Sequence, residues 1–96
     1  MKELEKFKMY ILDKKYFEAH EVLEEVWQKL RKKDNDLKWA YKGLINAAVS
    51  LELKKRKRDK IVYIQVWRNF EKYKQYYDLN KEIKEISLFI EQFKPF

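Results

Sequence analysis

A chain of 96 residues with no Cys, one Gly and one Pro has the length of one ordinary domain and excludes disulfides, thiolate metal sites and a cysteine nucleophile. Its 23 basic and 16 acidic residues leave a net charge of +7, which speaks first for a soluble, well-charged surface and second for a polyanionic partner. No stretch approaches the roughly 20 apolar residues of a membrane span, and the basic start and apolar run of a secretion signal are missing, so the expected location is the cytoplasm.

The scarcity of Gly and Pro, with the wealth of Lys, Glu and Leu, predicts helices along the whole chain. Leu4, Phe7, Tyr10 and Ile11 form an apolar stripe at helical spacing, predicting a first helix over residues 2–12. After Asp13-Lys14-Lys15, a second helix is expected over 16–32, with Tyr16, Ala19, Val22, Leu23, Val26, Trp27 and Leu30 on one face. Its acids come early and its bases late, as the helix dipole favours. Asn35 or Asp36 is placed to cap a third helix over 37–57. Residues 43–53 of that helix are apolar nearly all round, so it is expected to be buried on several sides. Lys42, Asn46 and Ser50 are its only polar stripe. Gly43 within it suggests a close crossing with another helix.

Asp59 is the expected cap of a fourth helix running to about Tyr77, with Val62, Tyr63, Val66, Trp67, Phe70, Tyr73 and Tyr77 on one face. Asn80 is the expected cap of a fifth, striped with Ile83, Ile86, Ile90 and Phe93 and ending before Pro95. Connections this short make successive helices antiparallel neighbours. The expected architecture is therefore an all-α bundle of about five helices around a buried central helix, one domain over residues 1–96.

The chemical feature is the block from Glu18 to Trp27. His20 and Glu24 are four apart and share a helix face, at the border of the apolar arc beside Trp27. Glu21 and Glu25 form a second such pair further out, and Glu18 is on the exposed side. A histidine and a carboxylate so spaced can pair structurally, act as acid and base, or hold a divalent metal. The metal reading lacks a second ligand motif, because His20 is the only histidine, and leans on His20, Glu24 and Glu52 from the third helix. The structural reading adds Asn46, closing a polar network between the second and third helices.

Residues 16–27, Tyr-Phe-Glu-Ala-His-Glu-Val-Leu-Glu-Glu-Val-Trp, resemble the signature of the family called domain of unknown function 309. Residues 42–49, Lys-Gly-Leu-Ile-Asn-Ala-Ala-Val, are similar to its second signature, with Asn46 where the family usually has Gln. The resemblance implies a small helical bundle and marks Glu18, His20, Glu21, Glu24 and Trp27 as the family's hallmark. It supplies no reaction. The chain departs from the family twice: Glu52 stands where a second His is common, and Arg56-Lys57-Arg58-Asp59 replaces an Arg-Gly-Asn turn.

Two other surfaces stand out. Lys54, Lys55, Arg56, Lys57 and Arg58 are five consecutive bases that can meet phosphates, although a solvated helix end is the preferred explanation. No recognised nucleic-acid motif accompanies them. The C-terminal half holds Tyr63, Trp67, Phe70, Tyr73, Tyr76, Tyr77, Phe89, Phe93 and Phe96, more aromatic surface than one small core is expected to cover, which suits a homodimer. No phosphate-binding Gly-rich loop, hydrolase triad or dinucleotide fingerprint occurs, and no cofactor is expected. The function expected from sequence is a non-enzymatic or interaction module with a His/Glu/Asn cluster between helices 2 and 3. A metal- or metabolite-binding enzyme at His20 and Glu24, and a nucleic-acid binder at residues 54–58, are the alternatives.

Overall fold

The computed structural model describes residues 2–96. Five α-helices, α1 (Lys2–Leu12), α2 (Tyr16–Leu30), α3 (Leu37–Lys55), α4 (Lys60–Lys72) and α5 (Lys81–Glu91), carry most of the chain. A 3₁₀ helix, Lys74–Leu79, lies between the last two. There is no strand among the described residues. No helix among them is long and apolar enough to cross a membrane.

The buried faces follow the periodicity of the sequence. Leu4, Phe7 and Ile11 bury α1, Ala19 and Leu23 bury α2, and Ile83, Ile86 and Ile90 bury α5. α3 is buried on several sides, from Ala40 and Tyr41 through Gly43, Leu44, Ile45, Ala47 and Ala48 to Ser50 and Leu51. It packs against α2, α4, the 3₁₀ helix and α5, whereas α1 packs on α2 and α5. The central-helix bundle expected from sequence is the observed architecture.

Helix starts are fixed by side chains. Asp59 accepts from Ile61 N–H at 3.0 Å and Asn80 from Ile83 N–H at 3.1 Å, capping α4 and α5. At α3 it is Asn35, not Asp36, that accepts from Leu37 N–H, at 2.9 Å.

Two helix ends share an unexpected device. Lys14 and Lys57 hold positive φ, 61° and 58°. After α3, Lys57 N–H donates to Lys54 O at 2.9 Å and Arg58 N–H to Leu53 O at 2.9 Å. After α1, Lys14 N–H donates to Ile11 O at 3.0 Å and Lys15 N–H to Tyr10 O at 2.8 Å. Both are Schellman endings with lysine in the left-handed position that glycine usually fills. This turn ends α3 at Lys55, two residues before the expected limit.

The fourth expected helix is divided. α4 stops at Lys72, and the chain continues as the 3₁₀ helix. Tyr73 stacks on Trp39 of α3, with ring centroids 5.8 Å apart and planes 14° apart. The break lets Tyr77 dock on α3 at Gly43, while its hydroxyl donates to Phe70 O at 2.6 Å. The close approach at Gly43 is therefore made by a tyrosine ring rather than by a crossing helix. Of the nine aromatics from Tyr63 onward, only Phe96 is exposed, and Arg68 and Lys94 cover its ring. The surplus expected at the surface is taken up by the core and its margins.

Candidate functional site

Three helices and one turn build a cleft at the C-terminal end of α3. α2 supplies Phe17 and His20, which are three apart and so share a face. α3 supplies Val49, Glu52 and Leu53. The Schellman turn then redirects the backbone, so that Arg56, Arg58 and Asp59 form the next wall and Val62 at the start of α4 completes it. The cavity measures about 560 Å³, within the range of small-molecule sites.

Its lining is part apolar, from Phe17, Val49, Leu53 and Val62, and part charged, from Glu52, Arg56, Arg58 and Asp59. Phe17 and Val62 are 46% and 43% exposed, unusual for large apolar side chains. The Phe17 and His20 rings lie 5.8 Å apart, and the Arg56 guanidinium sits 6.0 Å from the Phe17 ring centre. Arg56 Nε donates to Glu52 Oε2 at 2.8 Å, and the Glu52 side chain is 15% exposed. Asp59 is occupied in capping α4.

His20 and Glu24 do come together, with Nε2 3.7 Å from Oε2. That separation is too long for a hydrogen bond, and it is an ion pair only with the imidazole protonated. Glu24 also accepts from Gln28 Nε2 at 3.2 Å. Asn46 is turned elsewhere: its Nδ2 donates to Lys42 O at 2.8 Å, and its Oδ1 accepts from Asn69 Nδ2 of α4 at 3.3 Å. The physical reason is position along α3. His20 meets that helix near Glu52, six residues and roughly 9 Å beyond Asn46. The polar stripe of α3 instead ties it to its flanking helices. Ser50, fully buried, donates to Tyr63 O at 2.6 Å, and Lys42 lies 4.5 Å over the Trp27 ring.

Trp27 is half-buried, and its Nε1 has no hydrogen-bond partner. It lies two turns from His20, outside the cleft. Glu18 and Glu21 are exposed. Glu52 is the one weak metal candidate that shares the cleft with His20, and it is engaged by Arg56. Among the described residues, no three His, Asp or Glu side chains come together to hold a metal.

The five-base run is split among separate tasks. Lys54 Nζ donates to Pro95 O and Lys55 Nζ to Lys14 O, both at 2.8 Å, pinning the C-terminal segment and the α1–α2 corner. These two lysines face a second cavity of about 330 Å³ with Tyr16, Leu51 and Phe93. The Tyr16 phenol is pushed above its ordinary range, chiefly by burial and then by the Glu52 carboxylate. Arg56 and Arg58 face the first cavity, and Lys57 makes the turn between them.

The family described as Domain of unknown function (DUF309) matches residues 4–64, more than half of the chain. The chain belongs to that family. The DUF309 match takes in α1, α2, α3 and the first residues of α4, hence every residue that lines the larger cleft. Comparison with curated proteins and with solved structures gives no match.

Phe17, Val49, Leu53, Asp59 and Val62 were not singled out from sequence as site residues. Phe17 carried the one usable signal, an aromatic off the apolar arc of α2. Asp59 and Val62 reach the cleft because of where Lys57 turns the chain, which no glycine announced.

Proposed function

We propose that this protein is a non-enzymatic binding module whose cleft between α2, α3 and α4 receives an apolar group. The observation that carries the reading is the combination of a cavity of about 560 Å³ with the apolar lining of Phe17, Val49, Leu53 and Val62. Such a surface gains by leaving water when a ligand covers it. Nothing in the cleft pairs a nucleophile with a base, and its two carboxylates already have structural partners.

The test is NMR titration with 1-octanol, a neutral apolar probe. His20 is the sole histidine, so its ring signals serve as a single local reporter. Binding in the cleft moves those signals and the methyls of Val49, Leu53 and Val62 saturably. Failure of all of them to move, or movement confined to residues of the second cavity such as Leu51, refutes the reading.

A further inference from the structure

The cleft has two negative and two permanently positive side chains on its wall, but they are not equally available. Glu52 is held by Arg56, and Asp59 accepts the Ile61 N–H. Arg58 is exposed and enters none of the ion pairs among the described residues. One guanidinium is thus left uncompensated in a cleft with an apolar lining. The surrounding segment adds to the field, since residues 54–60 read Lys-Lys-Arg-Lys-Arg-Asp-Lys.

That balance selects the charge of a ligand. A neutral molecule leaves the Arg58 charge without a partner. A phosphate dianion brings a second negative charge toward Glu52 and Asp59 with no further unengaged cation on the wall to meet it. A monoanion matches, and a planar carboxylate fits the guanidinium fork in the bidentate manner that Arg favours. The apolar lining of Phe17, Val49, Leu53 and Val62 asks for a hydrocarbon body attached to that carboxylate.

We infer that the cleft takes a free medium-chain monocarboxylic acid, its tail against Phe17, Val49, Leu53 and Val62 and its carboxylate on Arg58. This rests on the reading of the cleft as a binding site and adds the chemical class of what binds. Arg56 stays with Glu52 and keeps that carboxylate from repelling the ligand.

The experiment compares octanoate with 1-octanol on the wild-type chain and on Arg58→Gln, following the His20 ring and cleft methyl signals. The wild type should bind octanoate about tenfold more tightly than octanol, the scale of one charge-assisted hydrogen bond at an exposed rim. In Arg58→Gln that preference should fall to about twofold or less, and added salt should erode it in the wild type. Arg58 is exposed, so the variant keeps the fold. Equal binding of the two probes by the wild type, or a preference that survives Arg58→Gln, overturns the carboxylate assignment and leaves the apolar cleft standing. Silence from both probes removes the cleft reading itself.

Discussion

Replacing Gly43 by Ala sets local helix propensity against packing, because the two predict opposite signs. Gly43 lies inside α3, and no glycine in the chain has positive φ. On propensity alone, Ala should stabilise the helix by up to about 1 kcal/mol. The structure reverses this. A methyl at residue 43 would overlap the Tyr77 hydroxyl and stand 2.8 Å from its Cζ and 3.1 Å from its Cε1. The Tyr77 ring cannot swing into solvent without cost, since it is 3% exposed and stacks 5.2 Å from Phe70. Moving it strains the core by about 1–3 kcal/mol. It also breaks the bond from Tyr77 to Phe70 O, leaving a buried polar group unpaired for about 1–3 kcal/mol more. After the propensity gain, a net loss of about 1–5 kcal/mol remains, a fall in Tm of roughly 5–25 °C at this chain length. Thermal and urea unfolding followed by circular dichroism measure it. The double variant Gly43→Ala/Tyr77→Phe lacks the nearest clashing atom, so its cost should be less than the sum of the single costs by about 1 kcal/mol or more. A Gly43→Ala protein as stable as the parent, or more so, refutes this account of the contact.

Two further outcomes follow from backbone and burial. Lys57→Gly should stabilise the fold by about 0.5–1 kcal/mol, because relief of left-handed strain outweighs the added freedom of glycine in the unfolded chain; Lys14→Gly should behave alike, and denaturant midpoints decide both. Burial, then the charges of Glu3 and Glu82, pushes the Tyr41 phenol up to about 12, and Tyr77 is pushed up further by burial, then by Tyr73 and Glu91. Unfolded phenols lose their proton near pH 10 while these two keep theirs, so the stability they support is intact below about pH 10 and falls as pH rises through 12. Unfolding midpoints and phenolate absorbance measured across that window should change together, and phenolate appearing at pH 10 from all seven tyrosines of a still-folded chain would contradict it.

The bundle was legible because its apolar stripes run at one period and its caps are residues that announce themselves. Asp59 and Asn80 start helices as their side-chain oxygens require. The break at Tyr73 was not legible, since the apolar stripe runs through it unbroken from Val66 to Tyr77. Only the stacking of Tyr73 on Trp39 and the docking of Tyr77 at Gly43, both long-range, end the helix there. At the candidate site, the nearness of His20 to Glu24 follows from helical spacing alone. The partners of Asn46 do not, because which neighbour an α3 side chain meets depends on how far along the helix each crossing falls. The cleft was hidden for a related reason: Lys57 adopts a conformation that sequence rules assign to glycine, and the position of Arg58 depends on it.

The family match ends at residue 64, partway along α4, but the continuous apolar core does not. Trp67, Phe70, Tyr77, Ile83, Ile86 and Ile90 all lie beyond that limit and belong to the same cluster as Leu4, Leu23 and Leu44. The stretch that the family model matches is therefore smaller than the unit that covers α3, and a piece cut at residue 64 would leave the central helix bare where the rest of α4, the 3₁₀ helix and α5 now pack. The cleft lies wholly within the matched stretch, yet it keeps its shape only while that remainder holds α3 in place.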